Sequence, residues 1–113
     1  MVFLRPLGPP TCTLDFTAAT AFASVYTYEF PIIAGGTYEL TYTINSITGT
    51  LRPRLASATG GDLGAGSYYT DRSVPGTWTQ SLVAPVNGLS LGFQNRTADF
   101  SVHISNVSLF RTA

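Results

Sequence analysis

An all-β sandwich of short antiparallel strands is the fold class this sequence predicts, on three observations. From Thr37 to Asn45, the residues Tyr38, Leu40, Tyr42 and Ile44 alternate strictly with Thr37, Glu39, Thr41, Thr43 and Asn45, which is the period of a strand with one buried and one wetter face. Gly, Pro and Asn punctuate the chain at intervals of about 8–12 residues, the spacing of strands in a sandwich. The stretches between are rich in Tyr, Thr, Ile, Val and Phe, side chains that suit a half-buried pleated surface.

Size and charge narrow the expectation. The 113 residues make one domain with a single core: an N-terminal proline-rich arm over 1–10 and one β-sandwich domain over 11–113. Charged residues are 11% of the chain, against about 25% in an average soluble domain. All six basic residues are arginine and the net charge is zero, so nucleic acid and anionic membrane surfaces are not expected partners. So neutral a chain is poorly protected against association, which points to a life packed against copies of itself or other proteins. Cys12 stands alone, so no internal disulfide is expected. MVFLRPLGPP lacks the apolar run of a signal peptide, and no stretch is apolar for long enough to insert in a membrane as a helix. With Met1 as the start, synthesis and folding in the cytoplasm are expected.

Taken in order, Pro6, Pro9 and Pro10 keep the arm irregular. Its apolar Phe3, Leu4 and Leu7 fit docking onto a neighbour. Thr11–Thr17 alternates as a strand with Cys12, Leu14 and Phe16 on one face. A second strand is expected from about Ala21 to Phe30, with Phe22, Tyr26, Tyr28 and Phe30 aligned and Pro31 ending it. Gly35-Gly36 leads into the alternating strand, and Gly49 serves the turn at its exit. In the next strand Leu51 and Leu55 point one way and Arg52 and Arg54 the other, while Pro53, lacking a ladder donor, places it at a sheet edge. The longest loop follows, glycine-rich from Gly60 to Gly66, and long loops on a rigid scaffold are where binding usually sits. Thr77–Ala84 is a strand with Trp78 and Leu82 in phase, and Asn87-Gly88 after it is a strong hairpin dipeptide. Leu89, Leu91 and Phe93 alternate in the next strand. In the last, Phe100, Val102 and Ile104 face inward but Val107 and Leu109 fall out of step, which predicts a bulge near Ser105-Asn106.

Five pieces, AGGTYELTYTI, GTLRPRL, GTWTQSLVAP, GLSLGFQ and FSVHISNVSL, stand in an order that resembles the jelly-roll carbohydrate-binding modules of the family 4/9 type. The resemblance runs from Phe30 to Leu109 and implies a jelly roll of about eight antiparallel strands in two sheets. Domains of this type also resemble parts of phage head and tail proteins. The family's closing motif carries an aspartate that helps hold a structural calcium. Ser105 stands there in this chain, and a serine hydroxyl is a poor hard-cation ligand, so neither metal nor cofactor is expected.

Candidate binding residues are few. Tyr68, Tyr69 and Trp78 can stack on the apolar face of a sugar ring or belong to the core. Arg52 and Arg54 can fork to glycan hydroxyls or a partner's carboxylate, or simply guard an edge strand. His103 has no second histidine or cysteine at ligand spacing, which argues against a metal and against Ser/His or Cys/His catalysis. The carboxylates are scattered, and only Glu29 and Glu39, flanking the Pro31–Gly36 turn, make a glycosidase-like pair imaginable. The expected function is therefore non-enzymatic: a structural protein of a virus particle, of the phage kind, decorating a capsid or forming part of a head or tail fibre. Its partners are copies of itself and other virion proteins, with a host-surface glycan as a further ligand. The alternative is a genuine carbohydrate-binding module acting outside the cell.

Overall fold

A computed structural model describes residues 13–26, 31–57 and 61–113 of the protein. Among them run seven strands: β1 (Leu14–Ala18), β2 (Ser24–Tyr26), β3 (Thr37–Thr48), β4 (Leu51–Ala56), β5 (Gly76–Val83), β6 (Ser90–Asn95) and β7 (Phe100–Arg111), with one turn of 3-10 helix at Ala65–Ser67. All pair antiparallel, in a four-stranded sheet of order β1-β7-β3-β5 and a three-stranded sheet of order β2-β6-β4. The all-β, two-sheet expectation therefore stands, with seven strands described against about eight expected. The arm residues Phe3, Leu4 and Leu7, together with Cys12 and Glu29, lie outside the described residues.

The core is the space between the sheets. Tyr38, Leu40, Tyr42 and Ile44 of β3 meet Leu51 and Leu55 of β4, Leu91 and Phe93 of β6, and the inward row of β7. The Tyr42 and Phe93 rings, one from each sheet, meet edge to face at 6.0 Å, an arrangement aromatic quadrupoles favour. The alternation in the sequence is thus the inside–outside alternation of the sheet, since a one-residue shift of register would turn every one of these side chains to solvent.

The bulge is where the broken phase places it. Thr41 pairs with Ser108 but Thr43 with Ser105, so β7 carries an extra residue there, and Asn106 takes it up at φ 56°, a left-handed conformation that asparagine tolerates. A second irregularity answers it on β3: Ile44 pairs with Ile104 but Ser46 with His103. The extra residue is Asn45, whose Nδ2 donates to Ser105 Oγ at 2.9 Å. Val107 and Leu109 are returned to the core by the first bulge, and Ile47 packs against it after the second.

Three sequence expectations are corrected. Asn87-Gly88 does not close a hairpin, because β5 and β6 lie in opposite sheets. Instead Asn87 Oδ1 accepts the Ala34 N–H at 2.8 Å, and Gly88 exchanges two backbone bonds with Ile32. A Cβ on Gly88 would meet the Ala56 carbonyl at 2.8 Å, so the glycine is required by close approach. Phe22 is not in a strand: it sits at φ 68°, is 61% exposed, and lies under the Arg96 guanidinium. Its apolar character aligned it with Tyr26 in sequence, but the turn at Ala19–Phe22 breaks the phase before β2 begins. Arg54 is not on a wet face, because the chain after β4 folds back over it.

Candidate functional site

β4 is an edge strand, as Pro53 requires, and its free side is covered. Residues 62–72 run back along it, with bridges at Ala56–Asp62, Arg54–Tyr68 and Leu51–Arg72. Leu51 and Arg72 exchange two backbone bonds, and the Tyr69 N–H donates to the Pro53 carbonyl at 2.9 Å. A residue in an antiparallel strand sends its N–H and C=O to the same side. The donor that Pro53 lacks would therefore have pointed toward this covering segment, so the β4–β6 ladder loses nothing.

The covering segment alternates like a strand. Tyr69 points in and is 2% exposed; its hydroxyl donates to the Tyr38 carbonyl at 2.8 Å, and burial raises its phenol well above the usual range. Tyr69 therefore offers no ring face to a ligand and acts as the pin that holds the segment to the core. Tyr68 points out and is half-buried. Its hydroxyl donates to Asp62 Oδ1 at 2.8 Å, and the Arg52 guanidinium lies over its ring at 4.4 Å. Arg52 also forks onto Asp71, Nε to Oδ1 at 2.7 Å and a terminal nitrogen to Oδ2 at 3.2 Å. That bond to the carboxylate raises the guanidinium pKa further. Arg54 is 5% exposed and reaches Asp62 at 3.8 Å. The Asp62 carboxyl is held below its ordinary value, first by the Gly64 N–H and then by the Tyr68 hydroxyl.

Trp78 is half-buried and packs against the core. Arg72 stacks on its ring at 4.1 Å, the geometry of a cation–π contact. The Tyr42 phenol is close enough to feel the same guanidinium; burial pushes it up to about 12, and Arg72 opposes that shift only in part. Arg52, Arg54, Trp78, Tyr68 and Tyr69 are thus brought together around the covered edge of β4. Sequence reasoning missed Asp62, Asp71 and Arg72, which complete the cluster. Two acids bracketing the Tyr68-Tyr69 pair, shortly after an Arg-Pro-Arg strand, are the signal that was there.

The cluster binds itself. The Tyr68 and Trp78 rings each carry a guanidinium, and Arg52 with Asp71 and Arg54 with Asp62 close ion pairs within the cluster. The remaining candidates lie elsewhere. His103 and Asp15 form a cross-strand pair on the outer face of the four-stranded sheet. Glu39 is half-buried on β3, and its imagined partner Glu29 is outside the described residues. Among the described residues no three His, Cys, Asp or Glu side chains are grouped so as to hold a metal ion. No helix among them is long and apolar enough to cross a membrane.

No family model matches the chain, and no curated protein matches it. Among solved structures it is similar to a chain described under "Bacillus endospore appendages form a novel family of disulfide-linked pili", with a TM-score of 0.49 and 16% identity over 91% of this chain and 86% of that one.

Proposed function

We propose that this protein is a non-enzymatic structural component of a virus particle, of the phage kind, decorating the capsid or forming part of a head or tail fibre. The outer face of the four-stranded sheet is the observation that carries the proposal. Thr41 and Thr79 share a hydroxyl hydrogen bond at 3.0 Å, Thr43 and Thr77 another at 2.9 Å, and Asn45 bonds Ser105 beside them. Hydroxyls bonded to each other lose less on leaving water than isolated polar or charged groups do. This uncharged strip, with Glu39 and the Asp15–His103 pair as the ionisable groups beside it, suits a protein repeated many times in close contact with other protein.

The strand pairing favours the jelly-roll form of the sandwich. If the segment 62–72 beside β4 is counted as the fifth of eight strands, the pairs β1–β7, β2–β6, β3–β5 and β4–segment become 1·8, 2·7, 3·6 and 4·5. Those are the pairs of one long hairpin wound around a core, which is what a jelly roll is. The segment stays irregular because glycines and the 3-10 turn interrupt it.

The alternative, a carbohydrate-binding module, needs Tyr68 or Trp78 to offer a ring to a sugar, and Arg52 and Arg72 already occupy those rings. Mass spectrometry of purified particles from the source tests the choice. A fixed, many-copy stoichiometry is expected; absence from every particle, with the protein found free, would transfer the proposal to the sugar-binding module. Deleting residues 1–10, the expected anchor, should abolish attachment and leave the unfolding transition unchanged.

A further inference from the structure

β5 is an edge of the four-stranded sheet; the Thr70 N–H reaches the Gln80 side chain and Arg72 stacks on Trp78, but among the described residues no segment pairs with its outer side as 62–72 pairs with β4. Its eight residues, GTWTQSLV, contain no proline and no charge, and they pair with β3 in unbroken register. The direction of its free groups follows from its neighbours. Ala84 exchanges bonds with Gly35 and Gly36, on the β3 side. Thr37 turns its N–H and C=O to β7, through Ala113 and Thr112, so Tyr38 must face β5 and its partner Leu82 must face back. Both observations set the same parity: Gly76, Trp78, Gln80 and Leu82 bond to β3, while Thr77, Thr79, Ser81 and Val83 aim their N–H and C=O outward. None of those four makes a backbone hydrogen bond to a described loop or turn residue.

We propose that this edge is a dimerisation site, at which β5 pairs antiparallel with β5 of a second copy of the chain, about a two-fold axis at Gln80. The inference rests on the function proposed above in taking another copy, rather than a foreign strand, as the partner. Three features of the edge favour a copy. The strand is uncharged in a chain of zero net charge, so two copies meet without repulsion. The register centred on Gln80 uses all four outward residues, Thr77 against the partner's Val83 and Thr79 against the partner's Ser81. The same register sets half-buried Trp78 opposite the partner's Leu82. Finally, three large exposed apolar side chains, Val74, Val83 and Val86, 54%, 58% and 42% exposed, lie on β5 or just beyond its ends, and the pairing brings Val74 toward the partner's Val86. Such apolar exposure around an unpaired strand marks a contact surface. The product is isologous, the commonest symmetry of soluble oligomers. It joins two four-stranded sheets into one continuous sheet.

The test is sedimentation of the purified full chain over a concentration series, together with amide exchange along β5. A dimer is expected. Raising the concentration should slow exchange at Thr77, Thr79, Ser81 and Val83 by about tenfold or more, with no change at Trp78, Gln80 and Leu82. Thr79→Pro removes an outward donor without touching the β3 ladder, as Pro53 does on β4, and should halve the mass. Ser81→Lys places like charges near the axis and should do the same, which decides the matter if the proline variant fails to fold. A monomer at every concentration, with fast exchange at the four outward amides, overturns the inference; so does a dimer that survives Ser81→Lys. A monomer that is nevertheless built into particles at fixed copy number ends this inference alone, whereas a dimer absent from all particles ends the virion proposal alone.

Discussion

The edges at β4 and β5 sit on the same side of the sandwich and solve the same problem in opposite ways. Both expose a row of backbone groups that invites another strand. At β4 the chain supplies its own cover: Pro53 removes a donor, residues 62–72 take up the remaining groups, and arginines and aspartates close over the seam. At β5 no described residue pairs with the row, and exposed valines flank it. Edge position alone does not make a contact site; what matters is whether the chain has already satisfied the edge. The charged residues follow the same division. Arg52, Arg54, Arg72, Asp62 and Asp71 gather at β4, and none lies on β5.

Removing the pin that holds the cover should have the largest effect. Tyr69→Ala deletes a buried ring and is expected to cost about 3–5 kcal/mol in denaturant unfolding. It should also make β4 as adhesive as β5, seen as concentration-dependent mass beyond the dimer. Tyr69→Phe keeps the ring but removes the hydroxyl bond to the Tyr38 carbonyl, which retains its ladder partner Leu82, and about 0.5–1.5 kcal/mol should be lost. A smaller, global effect comes from pH. The Tyr42 and Tyr69 phenols ionise at higher pH in the folded than in the unfolded chain. Their contribution is therefore complete below the unfolded value of 10.0 and is lost as pH rises from there toward about 12. Unfolding midpoints across that window should fall in the wild type and fall less in Tyr69→Phe. The smallest effect belongs to Asp71→Asn, which breaks the fork from Arg52 at a part-exposed site. It should cost no more than about 0.5–1 kcal/mol, and less in high salt; a larger loss would mean that the ion pairs, not Tyr69, hold the cover.

Much of this was legible residue by residue. The face of β3, the bulge at Asn106 and the edge position of β4 follow from period, broken phase and a proline. The candidate site was legible only in part. Tyr68 and Tyr69 are equal in sequence, and the alternation of a segment too glycine-rich to be read as a strand separates them, one outward and one in the core. Arg54 was expected on a wetter face, and the returning chain buries it. Asn87-Gly88 has the composition of a hairpin, and its side-chain oxygen and backbone serve Ile32 to Ala34 instead.

By itself the sequence determined what each strand shows to either side, because that depends on a two-residue period and on the local backbone rules of glycine, proline and asparagine. Only the tertiary structure decided which strands are neighbours. Every consecutive pair from β1 to β7 lies in opposite sheets, so each strand hydrogen-bonds to strands distant in sequence and meets its sequence neighbours across the core. Periodicity carries no trace of those partners: a strand's apolar face packs equally well against any complementary sheet. The choice is made by closing the core as a whole, which leaves one edge of β4 covered and, among the described residues, one edge of β5 unpaired.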